Sequence, residues 1–320
     1  MKIDKKSARM WSMIGPTGLF GVIMNELAKE NDKLSVVTAD LSTFSGLDRF
    51  GKEYPDKIYN VGIAEQNMMG IAAGLAQEGL TVFAATYASF LVTRSLDQLR
   101  ISMGYMNLPI KLVGLTAGYA SGILGATHMA LEDIAILRSI PNITILSPAD
   151  CVEAVKCMEA VSNYPKPVYI RLTGTARMPM IYLQDYNYQI GKNQILREGT
   201  DISILATGSM VSTAIQVSEQ LETFGISAEV INIHTIKPFD LEVLKNRKNR
   251  SLIVTVEEHS IIGGLGTIVA EEMINLNYST KLLKIGIEEG YLHAASYTSL
   301  LEKSGLTKEH ILERILSVLK

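Results

Sequence analysis

The chain has 320 residues, of which 47% are hydrophobic and 20% charged, and its formal net charge is −3. A chain of this length can bury sizeable cores, and typical domains of roughly 100–200 residues predict two of them. The small negative charge gives no electrostatic reason to expect binding to nucleic acid or to an anionic membrane. No apolar run follows the charged first ten residues, and Gln77 and Glu78 interrupt the longest apolar region. We therefore predict neither a secretory signal nor a membrane span.

The first half of the chain predicts a parallel sheet covered by helices. Short β-branched runs end in turn residues, and helical patterns separate them. One helix is predicted to begin at Pro16 after Gly15, and another to have Pro148 at its N-terminus. The predicted strands are LSVVTAD (34–40), LTVFAAT (80–86), IKLVGLT (110–116), ITILSP (143–148) and PVYIRL (167–172), the last of which closes this half.

The second half repeats the alternation after an interruption. Residues 175–200 do not continue the alternation of strand and helix patterns, which predicts a linker with an edge hairpin. Strand patterns then alternate again with helices, which places a second α/β domain at about residues 190–320. The fold class is therefore α/β with two doubly wound domains. The predicted strands of the second domain are DISILATGS (201–209), ISAEVINIHTI (226–236) and SLIVTVEEH (251–259).

The two cysteines, Cys151 and Cys157, have neither the spacing of metal ligands nor that of a CxxC redox motif. Such cysteines are typical of plain thiols in a reduced, cytoplasmic protein. No metal site is predicted in this chain.

Two further patterns are weak signals. GGLGTIVAEE (263–272) follows a strand and opens a helix, but it lacks the third glycine of the dinucleotide fingerprint, so tight helix packing is the better interpretation. Four ionisable residues lie at ends of predicted strands, where a solvated or interface role is more common than catalysis. They are His234, Glu257, Glu258 and His259.

One stretch, YNVGIAEQNMMGIAAGLAQEG (59–79), combines apolar and small residues with a single acid near its start, Glu65. The pattern predicts a helix ended by Gly79, buried on nearly all sides and packed at a subunit interface. Glu65 then lies in the first helical turn. It is either an ordinary helix-start acid favoured by the dipole or a desolvated functional acid held protonated by apolar surroundings.

Several segments together resemble the transketolase family, in its order and at close to its spacing. The resemblance covers nearly the whole chain and implies a pyrimidine-binding domain at residues 1–185 and a transketolase C-terminal domain at 186–320. The segments that carry it are VGIAEQNMMGIAAGLA (61–76), TYASFLVTRSLDQLR (86–100), GATHMALEDIAILRSIPNITILSPAD (125–150), HTIKPFD (234–240) and TVEEHSIIGGLGTIVAEE (255–272).

The resemblance also implies a cofactor and a partner. Transketolases hold the diphosphate of thiamine diphosphate and its Mg²⁺ through a Gly-Asp-Gly motif in an N-terminal domain, and the motif does not occur in these 320 residues. The chain therefore looks like the C-terminal subunit of a split transketolase, which needs a separate diphosphate-binding subunit. We expect two copies of each subunit in an α2β2 heterotetramer, with this chain forming the self-dimer.

The family's site residues map onto four positions. The acid matching Glu65 hydrogen-bonds a ring nitrogen of the cofactor's aminopyrimidine, and Tyr87 and Phe90 match aromatic positions that pack on that ring. His128, in GATHMALED, matches a position that contacts the substrate. The implied reaction is transfer of a two-carbon ketol unit from a ketose to an aldehyde or ketone acceptor.

Three other functions stay open. The β subunit of a 2-oxo acid dehydrogenase decarboxylating component shares both domains and also pairs with an α subunit, although AEQN and TRSLDQLR lie closer to transketolase. Deoxyxylulose phosphate synthase shares the domains but is normally one chain. A structural or regulatory paralogue is the non-catalytic alternative, and retention of Glu65 argues against it.

Three departures from the family concern the substrate. Transketolases usually place a His and an Arg on the sugar phosphate and an Asp on a substrate hydroxyl. Aligned on the flanking motifs, these positions are Ala117, Gly174 and Leu124. The departures predict a substrate other than an ordinary sugar phosphate, unless Arg171, Arg177 or a partner residue takes over the contacts.

Overall fold

The computed structural model describes residues 1–320 and contains two α/β units, each built on one mainly parallel sheet. The strands are β1 (Leu34–Thr38), β2 (Ile58–Asn60), β3 (Thr81–Tyr87), β4 (Lys111–Ala117), β5 (Thr144–Leu146), β6 (Val168–Thr173), β7 (Gln194–Arg197), β8 (Ile202–Ala206), β9 (Ala228–Asn232), β10 (Thr235–Lys237), β11 (Leu252–Ser260) and β12 (Lys281–Ile287).

Thirteen α-helices cover these sheets, and α6 continues into a π-helical segment at Arg100–Tyr105. The helices are α1 (Lys5–Ile14), α2 (Pro16–Glu30), α3 (Asp48–Glu53), α4 (Glu65–Gln77), α5 (Ala88–Arg94), α6 (Leu96–Leu99), α7 (Asp133–Arg138), α8 (Cys151–Ser162), α9 (Met210–Thr223), α10 (Glu242–Lys245), α11 (Leu265–Asn275), α12 (Tyr297–Lys303) and α13 (Lys308–Leu319).

The first sheet has seven strands in the order β10-β5-β6-β4-β3-β1-β2, and the second has five in the order β12-β11-β8-β9-β7. All neighbouring strands are parallel except at two edges, where β10 pairs antiparallel with β5 and β7 pairs antiparallel with β9. The predicted fold class is therefore correct. Parallel sheets need cover on both faces, and the near-continuous burial of β1, β4, β6 and β8 reflects this.

Several local predictions were wrong. ISAEVINIHTI is not one strand, because its first part is β9 of the second sheet and its end is β10 of the first. The segment 175–200 holds no hairpin and contributes only the edge strand β7. Helix α8 begins at Cys151 rather than near Pro148, because the Asp150 side chain accepts a hydrogen bond from Glu153 N–H and caps the helix. Neither α1 nor β12 was predicted.

The hydrophobic core is continuous between the two units. One buried cluster lies beneath the first sheet and combines α4 residues such as Met68 with Leu205, Ile231 and Ile253 of the second sheet. A second cluster belongs to the first unit alone, and the third fills the second unit. The units are therefore packed together through apolar side chains as well as through strand β10.

Helix α4 is buried on one face only, so the prediction of burial on nearly all sides is wrong for the single chain. Met68, Met69, Ala72 and Ala76 face the core. The opposite face exposes side chains that are polar or small, and a Cβ at either of its two glycines would meet nothing within 4 Å. The exposed residues are Gln66, Asn67, Gly70, Gly74 and Gln77.

Both cysteines are free and buried, and burial raises the pKa of each thiol. This agrees with the prediction of plain thiols and places both in the core. Among the helices, none combines the length and the apolar character needed to cross a membrane.

Candidate active site

The four predicted site residues lie at the carboxyl-terminal edge of the first sheet. Glu65 is the first residue of α4, which follows β2 through a turn with Gly62 at a φ of 73°. Tyr87 ends β3, Phe90 lies in α5, and His128 lies in the loop between β4 and α7. Ligands bind at this edge in open α/β sheets because loops from several strands converge there.

Glu65 is 4% exposed, yet its surroundings are not apolar. Arg94, whose side chain is 47% exposed, donates hydrogen bonds to both carboxylate oxygens, at 3.0 and 3.2 Å. In the chain alone Glu65 is therefore paired with a cation, whereas the sequence predicted apolar surroundings for it.

Arg94 also connects Glu65 to the predicted aromatic positions. Its guanidinium carbon lies 3.8 Å from the centre of the Phe90 ring, a cation–π arrangement. Phe90 and Arg94 are four residues apart on α5, so they share one helix face. No role was predicted for Arg94 from the sequence, and its spacing from Phe90 was the available signal.

Tyr87, Phe90 and His128 form a cluster of mutually perpendicular rings. The His128 ring centre is 5.1 Å from that of Tyr87 and 4.9 Å from that of Phe90, while Tyr87 and Phe90 are 5.9 Å apart. Phe44 extends the cluster, with its ring 5.3 Å from Tyr87. Burial raises the pKa of the Tyr87 hydroxyl. The structure thus brings His128 together with two aromatic residues that lie far from it in sequence.

Two cavities flank this group. One, of about 590 Å³, is lined by Glu65, Arg94 and the residues next to Glu65, and the aromatic rings do not contribute to its walls. The other, of about 280 Å³, lies where α2 begins and is reached by Phe44. The ring cluster contacts one residue in the wall of each cavity, Arg94 in the larger and Phe44 in the smaller.

The smaller cavity has no ionisable side chain in its walls. Its lining residues are Ile14, Gly15, Pro16, Thr17, Gly18, Phe44, Thr116, Ala120, Gly174, Thr175 and Ala176. Helix α2 begins there without a side-chain cap. Thr116 has a φ of 52°, a strained value for a β-branched residue, and its buried hydroxyl has no hydrogen-bond partner.

The three residues that depart from the family pattern differ in how close they lie to this cavity. Gly174 lines it, and Ala117 follows Thr116, which also lines it. Leu124 is half-exposed and outside the lining. Arg171 cannot replace a missing cation, because it is 1% exposed and its Nε donates to Asp133 at 2.8 Å. Arg177 is exposed, next to the lining residue Ala176.

The acids and histidines at the predicted strand ends are all buried, so the expectation of a solvated role is wrong. His234 and His259 are 0% exposed, and burial lowers the pKa of each to about 4. Glu257 and Glu258 are each 1% exposed. Glu257 accepts hydrogen bonds from the Leu265 and Gly266 N–H groups and so caps α11.

The glycines of GGLGTIVAEE serve packing, as predicted. A Cβ on Gly264 would lie 2.0 Å from a Glu257 carboxylate oxygen, and one on Gly266 would lie 2.8 Å from Thr255 and Lys284 side-chain atoms. Across the chain, no group of three or more His, Cys, Asp or Glu side chains is arranged to hold a metal ion.

Sequence models of two domains match the chain. The transketolase pyrimidine-binding domain matches residues 14–176, and the transketolase C-terminal domain matches residues 191–311. One solved structure, described as a split gene transketolase in an inactive beta4 tetramer, superposes with a TM-score of 0.85 at 35% identity. It covers 96% of this chain and 98% of its own.

Curated relatives agree with these matches. The 6-deoxy-6-sulfo-D-fructose transketolase subunit SqwH of Clostridium sp. is 38% identical, covering 90% of this chain and 89% of its own length. An apulose-4-phosphate transketolase subunit of Phocaeicola vulgatus is 37% identical, covering 97% and 99%. The 1-deoxy-D-xylulose-5-phosphate synthase of Nitrosomonas europaea is 33% identical over 98% of this chain but only 50% of its own length. The chain belongs to the transketolase family and contains its pyrimidine-binding and C-terminal domains.

Proposed function

We propose that this chain is one subunit of a thiamine-diphosphate-dependent enzyme that transfers a two-carbon ketol unit from a ketose to an aldehyde or ketone. The observation that carries the proposal is the placement of a buried carboxylate, Glu65, beside a cluster of two aromatic rings and a histidine at the ligand-binding edge of the first sheet. The domain boundary near residue 185 and the cytoplasmic location remain parts of the proposal.

The residues present fit the pyrimidine half of the cofactor. Glu65 offers a buried carboxylate next to an open cavity, where it can hold a proton at a ring nitrogen of the aminopyrimidine. Tyr87 and Phe90 supply half-buried aromatic surface for the same ring. When bound, thiamine diphosphate supplies a nucleophilic carbon that carries the two-carbon unit.

Arg94 donates hydrogen bonds to both Glu65 oxygens in the chain alone, so it must move away before Glu65 can contact the aminopyrimidine. Its half-exposed side chain has room to turn towards solvent. His128 lies across the ring cluster from Glu65, with its Nδ1 3.0 Å from the Thr127 hydroxyl. Its other ring nitrogen is free to hydrogen-bond an oxygen of the substrate.

We propose that a separate subunit holds the diphosphate and Mg²⁺. Support comes from the relatives of nearly equal length described as subunits, and from the neighbour described as an inactive beta4 tetramer. The isolated chain should then bind the cofactor weakly and be inactive.

The exposed face of α4 is the proposed self-dimer contact within an α2β2 particle. Gly70 and Gly74 allow close approach of another helix, and Ile63, which precedes α4, is 75% exposed. Light scattering should find a dimer or larger species at micromolar concentration, and a stable monomer would contradict the proposal.

We propose that the substrate is not an ordinary sugar phosphate. The group that it carries at the end remote from the reacting carbonyl differs from a phosphate. The small cavity beside the ring cluster offers three threonine hydroxyls and an uncapped helix start but no cationic side chain. Arg171 is committed to Asp133 and cannot contribute. A relative named for 6-deoxy-6-sulfo-D-fructose is in keeping with a varied substrate end in this family.

The test is reconstitution with the diphosphate-binding subunit, thiamine diphosphate and Mg²⁺. Ketol transfer from ketoses to a panel of aldehydes is expected. Oxidative decarboxylation of a 2-oxo acid would assign the chain to the dehydrogenase components instead. Condensation of pyruvate with glyceraldehyde 3-phosphate would indicate a deoxyxylulose phosphate synthase. Cofactor binding without turnover of any of these would support a non-catalytic paralogue.

A further inference from the structure

The loop that carries His128, residues 118–132, joins β4 to α7 and lies between the two units. Its ends are closed by a bridge between Gly118 and Ala130, in which Gly118 N–H donates to Ala130 O at 2.9 Å. The Tyr119 side chain, buried at one end of the loop, bonds Ser304 of the second unit at 2.7 Å between their hydroxyl oxygens. The loop therefore belongs to the first unit by sequence but reaches into the second.

One carboxylate of the second unit, Glu258, holds the start of this loop. It accepts a hydrogen bond from Tyr119 N–H at 2.6 Å and another from the Tyr297 hydroxyl at 2.7 Å, and Ser209 donates a third. The fit is close, because a Cβ on Gly118 would lie 2.2 Å from a Glu258 oxygen. Burial raises the pKa of Glu258, and the hydrogen bonds from Ser209, Tyr297 and Tyr119 oppose that effect.

The end of the loop is held by the same strand, β11. Ser260 N–H donates to Leu131 O at 2.8 Å, and Ala135 N–H donates to His259 Nε2 at 3.3 Å. Arg171 joins the two elements, because its Nη2 donates to Ala130 O at 3.2 Å and to Glu258 O at 2.9 Å.

The apolar contacts divide the loop at His128. Tyr119, Met129 and Leu131 are buried in the core of the second unit. The His128 ring, one residue before Met129, instead contacts Tyr87 of the first unit. Anchoring of Met129 in one unit thus fixes how far His128 can move relative to the rings of the other.

We propose that the C-terminal domain positions His128 and that Glu258 is the positioning residue through which it does so. This rests on the proposed contact of His128 with the substrate. Glu258 touches neither the ring cluster nor the two cavities, so it acts only through the loop. A displacement of a reacting group by about 1 Å can cost roughly 100-fold in rate, which sets the scale of the effect.

Hydrogen exchange of the free chain gives a readout that does not depend on activity. Glu258→Ala leaves Tyr119 N–H without its acceptor, so amides of residues 118–132 should exchange faster. Glu258→Gln should restore slow exchange, because its amide oxygen can accept from Tyr119 N–H while its N–H₂ donates to the two hydroxyls. Unchanged exchange in Glu258→Ala would overturn the proposal.

Glu229→Ala is the matched control. Glu229 is also a buried carboxylate of the second unit, but it bonds Arg247 and Ser203 and no residue of the loop. It should lower stability without changing exchange in the loop or turnover of the assembled enzyme.

Kinetics of the reconstituted complex use hydroxypyruvate as donor and glycolaldehyde as acceptor, a pair too small to depend on the unassigned substrate end. Glu258→Ala should lower kcat about 10- to 100-fold, with Glu258→Gln close to wild type. The double variant Glu258→Ala with His128→Ala should be no slower than His128→Ala alone, because both changes remove the same positioned group. Fully multiplicative losses, or an equal loss in Glu229→Ala, would overturn the proposal.

The His128→Ala variant distinguishes failure of the proposed function of His128 from failure of the positioning role of Glu258. A wild-type rate in that variant would refute the proposed function of His128. A slow His128→Ala together with a normal Glu258→Ala would refute the positioning role alone. If Glu258→Ala does not assemble, Tyr297→Phe removes one hydrogen bond to the carboxylate, and a loss of several-fold in kcat with faster loop exchange is expected. No change in either would count against the proposal.

Discussion

The two units of the chain share a parallel α/β architecture, but the carboxyl ends of their strands differ in how completely their polar groups are paired. In the first unit, Glu65 has one partner, the half-exposed Arg94, and a cavity beside it. In the second unit, Glu257 and Glu258 are enclosed and bonded to N–H and hydroxyl groups of the protein. A buried acid alone therefore does not mark a ligand site. The distinguishing property is a buried acid whose partner can leave.

The largest expected effect lies at the strand ends of the first unit, where the cavity beside Glu65 is located. Glu65→Gln keeps the size of the side chain but removes the group that can hold a proton for the cofactor, so kcat should fall by about 10²–10⁴ in the reconstituted enzyme. Thermal unfolding and assembly should be close to wild type. Turnover within a few-fold of wild type would contradict the role of Glu65. Glu219→Gln, which makes the same change at an exposed carboxylate of α9 in the second unit, is the matched control.

A buried ion pair of the first unit, Arg171 with Asp133, contacts the second unit through a hydrogen bond from Arg171 Nη2 to Glu258 O, and its loss should affect stability instead. Arg171 and Asp133 are each 1% exposed and are paired through Arg171 Nε and Asp133 Oδ2 at 2.8 Å. Arg171→Met leaves an uncompensated buried carboxylate, which should lower the free energy of unfolding by about 3–5 kcal/mol. Arg49→Met, which breaks the exposed Arg49–Glu53 pair, should leave denaturant unfolding unchanged. Similar midpoints for the two variants would show that the Arg171–Asp133 pair is not buried in solution.

The sequence predicted the sheets well because parallel strands are marked by local runs of buried residues, as in β1, β4 and β6. It predicted Glu65, Tyr87, Phe90 and His128 through resemblance. Arg94 was missed because its partner lies 29 residues away, a distance that no local pattern encodes.

Burial of the strand-end acids of the second unit was harder to predict. Whether Glu258 is solvated or buried depends on Tyr119, which lies 139 residues away in the other unit. Strand β10 was assigned to the wrong sheet for the same reason, since its pairing with β5 spans the two units. Local periodicity predicts elements, but the docking of two units decides which polar strand ends stay accessible.

A smaller effect concerns the neutral cavity beside the ring cluster. Two missing charge-assisted contacts, at roughly 1.5–3 kcal/mol each, should weaken a sugar phosphate by about 100-fold or more. Steady-state kinetics with xylulose 5-phosphate and ribose 5-phosphate should therefore give high Michaelis constants. Thr175→Arg adds a guanidinium to the cavity wall and should lower them. Ordinary transketolase constants in the wild type would contradict the substrate proposal.

The smallest expected effect is the pH dependence of stability that the buried acid Glu257 of the second unit should cause. Burial raises the pKa of Glu257 to about 7, although the N–H groups of Gly266 and Leu265 oppose the shift. Because the folded pKa is raised, the native state binds more protons than the unfolded chain between the ordinary value of 4.5 and about 7. The contribution of Glu257 to the free energy of unfolding should consequently rise as pH falls from 8 to 5, by at most about 3 kcal/mol, while the lowered pKa values of His234 and His259 act in the opposite direction.

Glu257→Gln loses one hydrogen bond to the start of α11 and should be less stable than wild type at pH 5, and this difference should shrink towards pH 8, because only the wild type carries a buried charge there. Thr255→Val is the control on the same strand, since the Thr255 hydroxyl is buried without a partner and carries no charge. It should shift stability equally at all pH values. Urea unfolding at four pH values measures each curve. If the difference between the wild-type and Glu257→Gln curves is constant from pH 8 to 5, water reaches Glu257, and the strand ends of the second unit then resemble those of the first.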